Sequence, residues 1–122
     1  MAVHPKKKEF ITVGEDDLLI IWDAAHKKEK FTINLEYPAR VVEISQRSGK
    51  YLAIGCNNGY TLIYDYNKAE QLHYIKGRSE KITQIKFSPN SKLIAIGGQD
   101  SEIVIYAFNR RKTKKICKIR AH

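Results

Sequence analysis

The stretch that decides the fold is Phe10-Ile11-Thr12-Val13-Gly14 followed by Leu19-Ile20-Ile21-Trp22-Asp23, because it comes back twice. It returns as Leu52-Ala53-Ile54-Gly55 leading to Thr61-Leu62-Ile63-Tyr64-Asp65, and again as Ile94-Ala95-Ile96-Gly97 leading to Ile103-Val104-Ile105-Tyr106. The aromatic anchors Trp22, Tyr64 and Tyr106 stand 42 residues apart both times. A fixed period of this size marks stacked structural units, each needing its neighbours to bury its faces. The runs are β-branched and apolar at nearly every position, the pattern of strands covered on both sides.

Working outward, each unit reads as four strands. An inner strand covers residues 41–45 and 82–87, with Ala2 and Val3 opening the first unit. The turn to the second strand is His4-Pro5-Lys6-Lys7-Lys8, then Ser45-Gln46-Arg47-Ser48-Gly49-Lys50, then Ser88-Pro89-Asn90-Ser91-Lys92. A tight connection to the third strand holds Glu15-Asp16-Asp17, Asn57-Asn58-Gly59 or Gln99-Asp100-Ser101. Asn58-Gly59 is a strong hairpin signal, since both residues tolerate positive φ. Asp16, Asn58 and Asp100 each lie six residues before their anchor, where an Asx side chain accepts backbone N–H bonds and holds the turn. An outer strand covers 31–35, 72–75 and 116–119.

The expected fold is all-β: three blades of a β-propeller, each a four-stranded antiparallel meander, with repeats at roughly 2–38, 39–80 and 81–122. The period is that of WD repeats. Three blades fall short of the four to eight that close a propeller. The expectation is therefore an excerpt of a longer protein, cut within a blade at both ends. Open ends expose apolar faces, so self-association or further blades should cover them.

The net charge of +9 favours an acidic partner. Sorting charges by loop shows where such a partner would sit. In a meander the first-to-second and third-to-fourth strand connections share one face. They carry Lys6, Lys7, Lys8, Lys27, Lys28, Lys30, Arg47, Lys50, Lys68, Lys92, Arg110, Arg111, Lys112, Lys114 and Lys115 against five acids, a net +10. The other face nets −3. Within this set, Lys6, Lys7, Lys8, Lys27, Lys28, Arg47, Lys50, Arg110, Arg111, Lys112, Lys114 and Lys115 form the candidate binding face.

Catalytic chemistry finds no motif. There is no Gly-x-Ser-x-Gly elbow, phosphate-binding glycine loop or zinc spacing. Cys56 and Cys117 do not make a disulfide framework. His4, His26, His73 and His122 are scattered, and His73 reads as a packed or edge residue in the outer strand. The tyrosines recur with the repeat, as packing residues do. No enzyme, metal or cofactor is expected. No apolar run approaches the roughly 20 residues of a membrane-spanning helix, and the amino terminus lacks a secretory core.

Several segments resemble the echinoderm microtubule-associated protein-like (EML) branch of the WD-repeat family: residues 2–16, Tyr37-Pro38-Ala39-Arg40, and 82–106, especially Lys86-Phe87-Ser88-Pro89 and Ile96-Gly97-Gly98-Gln99-Asp100. Trp22-Asp23 is the dipeptide that names WD repeats. The closing Cys117-Lys118-Ile119-Arg120-Ala121-His122 is similar to that branch's Cys-x-Gly-His element, with Ala121 in place of Gly. The Gly-His pair before the inner strand is missing, so the family's His–Asp network cannot form in its usual way. The resemblance implies a non-catalytic scaffold of the cytoplasm and cytoskeleton, extending to cilium or spindle, with tubulin or microtubules as partner. The alternative is a scaffold subunit of a ciliary, vesicle-coat or RNA-associated assembly. Membrane and nucleic acid are disfavoured as partners.

Overall fold

The computed structural model describes residues 2–14, 17–45, 49–76, 81–98 and 102–120, the Arg120 side chain excepted. Among them, twelve strands make three four-stranded antiparallel sheets. The first blade holds β1 (Ala2–Val3), β2 (Glu9–Val13), β3 (Leu18–Asp23) and β4 (Lys28–Asn34). The second holds β5 (Ala39–Ile44), β6 (Tyr51–Cys56), β7 (Thr61–Asp65) and β8 (Glu70–Ile75). The third holds β9 (Ile82–Phe87), β10 (Leu93–Gly98), β11 (Glu102–Phe108) and β12 (Thr113–Arg120). Each sheet is a meander in chain order, and the inner strands β1, β5 and β9 lie side by side.

The inner strand of the first blade, β1, has two residues where β5 and β9 have six. Each sheet takes all four strands from one contiguous stretch of chain. The outer strands also start earlier than the sequence suggests. β4 and β12 take in Lys28, Lys30, Lys114 and Lys115, so these lysines stand on strands and not in loops. They are strand because they pair with β3 and β11, and lysine on an edge strand blocks pairing with another chain.

Pairing also corrects the alignment of the repeat. Val13 pairs with Leu19 as Gly55 pairs with Thr61 and Gly97 with Ile103, so Val13, not Gly14, is the counterpart of the two glycines. In every blade a β-bulge separates the anchor from the residue before it, at Ile21/Trp22, Ile63/Tyr64 and Ile105/Tyr106. A bulge adds twist and re-aims the side chains beyond it.

The middle blade explains the unbroken apolar runs. Leu52, Ile54, Cys56, Leu62 and Tyr64 bury against the first blade, while Ala53 and Ile63 bury against the third. The first and third blades are covered on one face only, so buried residues of β3 and β10 alternate with half-buried ones and, at Leu93, an exposed one. Each fully buried Ile or Leu contributes about 1.5–3 kcal/mol. Burial pushes the Cys56 thiol up to about 11, keeping it a neutral packing group.

The Asn57-Asn58-Gly59 turn closes with the Gly59 N–H donating to the Cys56 carbonyl at 3.2 Å and the Cys56 N–H donating to the Tyr60 carbonyl at 2.8 Å. Of Asn58 and Gly59, only Gly59 has positive φ, at 87°. The connection is thus a longer hairpin with one left-handed residue, not a turn needing two. Asp17 takes the same place in the first blade, with φ of 60°.

Candidate functional site

The two connections assigned to the basic face do meet in space. The Ala24 N–H donates to the Lys8 carbonyl, Tyr66 N–H to Lys50 and Phe108 N–H to Lys92, joining the turn after the third strand to the turn after the first in every blade. The same face is continuous between blades. Lys7 Nζ donates to Asn67 Oδ1 of the second blade at 2.6 Å. The Arg110 guanidinium of the third blade pairs with Asp65 of the second at 2.7 Å.

Lys6, Lys7 and Lys8 line the first turn, Lys50 the corresponding turn of the second blade, and Arg110, Arg111 and Lys112 the last turn of the third; all are exposed. Lys27 sits in the last turn of the first blade with φ of 54°. Lys28, Lys114 and Lys115 are exposed on the strand ends that abut this rim. Arg47, Asp16 and Asp100 lie outside the described residues. Asn58 Oδ1 accepts the Tyr60 N–H at 3.2 Å. Tyr64 is buried between the first two blades, Tyr106 packs between the second and third, and Trp22 stacks on Phe10 with centroids 6.2 Å apart.

Sequence reasoning missed what holds the basic turns in shape. Asp23 Oδ1 accepts the His26 N–H, Asp65 Oδ1 accepts the Asn67 and Lys68 N–H groups, and Asn109 Oδ1 accepts those of Arg111 and Lys112. Such Asx turns fix the backbone that presents the cations. Asp23 and Asp65 follow their anchors directly, so the repeat itself carried the signal. His73 Nε2 bonds the Asn109 carbonyl, tying β8 to the last of these turns. Burial raises the Asp65 carboxyl, but the Arg110 bond and the turn amides more than offset it and hold it below the ordinary carboxylate value.

A second group missed from sequence joins the first two blades beneath the rim. His4 is 5% exposed; its Nδ1 accepts the Lys6 and Lys7 N–H groups at 3.0 and 2.9 Å. That leaves Nε2 as the protonated nitrogen, donating to the Gly49 carbonyl at 3.1 Å. The ring lies 4.6 Å from that of Tyr66. The Tyr66 hydroxyl donates to Glu9 at 2.9 Å, and Lys30 Nζ reaches the other Glu9 oxygen at 2.8 Å. No local pattern announces a contact between residues so far apart in the chain.

Burial, with Lys7 and Lys30 nearby, depresses the His4 pKa below its ordinary 6.5, outweighing the Gly49 bond and Glu9. The Lys30 and Tyr66 bonds overcome burial to hold Glu9 below its ordinary 4.5. In both cases the unfolded chain takes the proton first. Stability should be full above about pH 6.5, fall as His4 titrates, and fall again below about pH 4.5 with Glu9. Urea titrations followed by Trp22 fluorescence should show a lower midpoint at pH 5.5 than at pH 7.5, and His4→Gln should flatten that difference. An unchanged pH dependence in the variant would count against the assignment to His4.

Among the described residues, no group of three or more His, Cys, Asp or Glu could hold a metal ion, and no helix is long and apolar enough to cross a membrane.

Comparison with known proteins places this architecture. The solved structure of U3-55K superposes with a TM-score of 0.89 at 16% identity, over 99% of this chain and 38% of that one. The WD40 repeats of RRP9 superpose with a TM-score of 0.88 at 17% identity, over the same shares. These likenesses show the fold, a stack of WD-repeat propeller blades. In sequence, echinoderm microtubule-associated protein-like 2 of Mus musculus is 27% identical over 124 residues, all of this chain and 19% of that protein. Echinoderm microtubule-associated protein-like 3 of Homo sapiens is 28% identical over 107 residues, 88% of this chain and 12% of that protein. The chain thus spans a fifth or less of the length of these relatives. The family model described as the echinoderm microtubule-associated protein second beta-propeller matches residues 1–122, and the chain belongs to that family.

Proposed function

We propose that the chain is a non-catalytic interaction platform whose basic rim binds an acidic protein surface, with tubulin in microtubules as the partner. The observation that carries this reading is the concentration of exposed cations on one continuous face, on turns whose backbone is fixed by Asp23, Asp65 and Asn109. Clustered charge of one sign steers and holds a partner of the other. The relatives' names supply the partner: proteins called microtubule-associated contain a segment like this one. The acidic outer surface of tubulin has the complementary sign. The place of action that follows is the cytoplasmic cytoskeleton.

Co-sedimentation with microtubules at low and high salt tests this. A closed propeller containing this segment should pellet at low ionic strength and be released as salt rises, since screening shortens to about 3 Å at 1 M. Replacing Arg111, Lys112, Lys114 and Lys115 by Glu should weaken binding about tenfold or more, whereas Glu36→Lys with Glu43→Lys should not. Arg110 is left in place because it pairs with Asp65 and its loss would disturb the interface between blades. Pelleting that ignores both salt and charge reversal would defeat the proposal.

A further inference from the structure

The rim cations are densest at the tip of the β11–β12 hairpin, where Arg110-Arg111-Lys112-Thr113-Lys114-Lys115 sets one hydroxyl among five charges. Two other hydroxyls of the rim turns serve the fold. Ser45 Oγ accepts the Tyr51 N–H at 3.1 Å, and Ser88 Oγ accepts the Leu93 N–H at 3.0 Å while donating to Asn90. Among the described residues, no hydrogen bond holds the Thr113 hydroxyl.

Its place in the sheet leaves it reachable. β12 is the outermost strand of its sheet, with one edge open, and Thr113 is its first residue, half-buried. Thr113 pairs with Phe108, whose ring meets Tyr51 of the second blade at 5.1 Å, so its side chain stands toward a blade within this chain. The adjoining turn, Asn109 to Lys112, is exposed throughout. A hairpin tip with so little burial opens locally at low cost. Arg111 and Arg110 precede the hydroxyl by two and three residues. Planar guanidinium groups at fixed spacing before an acceptor suit a cleft lined with carboxylates, which they bind by paired, charge-assisted hydrogen bonds. Arg111 is exposed, and Arg110 keeps half its side chain exposed beside Asp65.

We propose that Thr113 accepts a phosphoryl group from ATP through a protein kinase that reads these arginines, and that the phosphate turns off the basic rim. The Thr113 oxygen bonds the γ-phosphorus as the bond from that phosphorus to the β,γ-bridging oxygen breaks. ADP leaves, and the hydroxyl proton passes to the kinase's catalytic aspartate. The product carries about −1.5 to −2 charge among Arg111, Lys112, Lys114 and Lys115. The switch rests on the rim being the binding face; the acceptor role of Thr113 does not.

The test incubates a folded, closed propeller containing this segment with the catalytic subunit of cyclic-AMP-dependent protein kinase and γ-labelled ATP, and maps the label by mass spectrometry. Phosphate on Thr113 is the expected result. Thr113→Val should remove it while circular dichroism and microtubule pelleting stay as in the parent. Arg111→Lys, which keeps the charge and loses the planar fork, should slow labelling about tenfold. In co-sedimentation at low salt the phosphorylated protein should bind about tenfold more weakly than the unmodified one. Label confined to other residues, label only after denaturation, or an unchanged rate in Arg111→Lys overturns Thr113 as the acceptor. Equal pelleting with and without the phosphate overturns the switch. Failure of the unmodified protein to pellet defeats the proposed function and the switch with it, while the labelling still decides the acceptor.

Discussion

Replacing Gly49 by alanine should destabilise the fold by about 3 kcal/mol, the sum of a left-handed backbone penalty of about 1 kcal/mol and an overpacking cost of about 2 kcal/mol. Gly49 has φ of +62°, and a Cβ there would stand 2.3 Å from His4 Nε2 and 2.4 Å from Cε1. The backbone alone does not demand glycine. Ser91, the counterpart of Gly49 one repeat on, holds φ of 58° with a side chain. What demands it is the buried imidazole, pinned by Lys6, Lys7 and the Gly49 carbonyl itself, so it cannot step aside without losing three hydrogen bonds. Thermal unfolding followed by Trp22 fluorescence should show a fall of about 10 °C. In the double variant His4→Ala/Gly49→Ala, the cost should drop below the sum of the singles, because the clash partner is gone. Strict additivity would show that the ring is not what the glycine accommodates.

The second large effect is at Gly55. A Cβ there would lie 2.5 Å from Ile82 Cγ2 and 2.9 Å from both Ile82 Cβ and Ile85 Cδ1. Those side chains belong to the inner strand of the third blade and are buried at 5% and 1% exposure, so β9 must move away from β6. Gly55→Ala should cost about 2 kcal/mol by overpacking and loosen the third blade in particular. Hydrogen exchange should speed up in β9 and β10 more than in β2 and β3. Gly97 stands at the same place in the repeat, yet a Cβ there meets only Gln84, at an ordinary 3.8 Å. Gly97→Ala should stay within about 0.5 kcal/mol of the parent. Two glycines identical to the repeat would then differ because one has a blade packed on it and the other does not.

That contrast shows how far the sequence could be read. The repeat and the strand count were legible because each is a local pattern: periodicity and turn residues between anchors. Outer-strand limits were not, since Lys28-Glu29-Lys30 and Lys114-Lys115 look like loop composition and become strand only by pairing with β3 and β11. Of the basic-face residues, Lys6, Lys7, Lys8, Lys50, Arg110, Arg111 and Lys112 are exposed. That Arg110 is held by a carboxylate of the preceding blade had no sequence signal.

By itself, then, the sequence determined the unit: a four-stranded meander repeated every 42 residues, with cations gathered on one pair of turns. Hydrophobic period and turn chemistry act within a few residues, and a repeat writes them three times. Only the tertiary structure decided how the units join. His4 on Gly49, Tyr66 on Glu9 and Arg110 on Asp65 link residues of successive blades, and which side chains meet there depends on blade geometry that no local spacing encodes. Those contacts set where glycine is obligatory and which groups titrate away from their ordinary values.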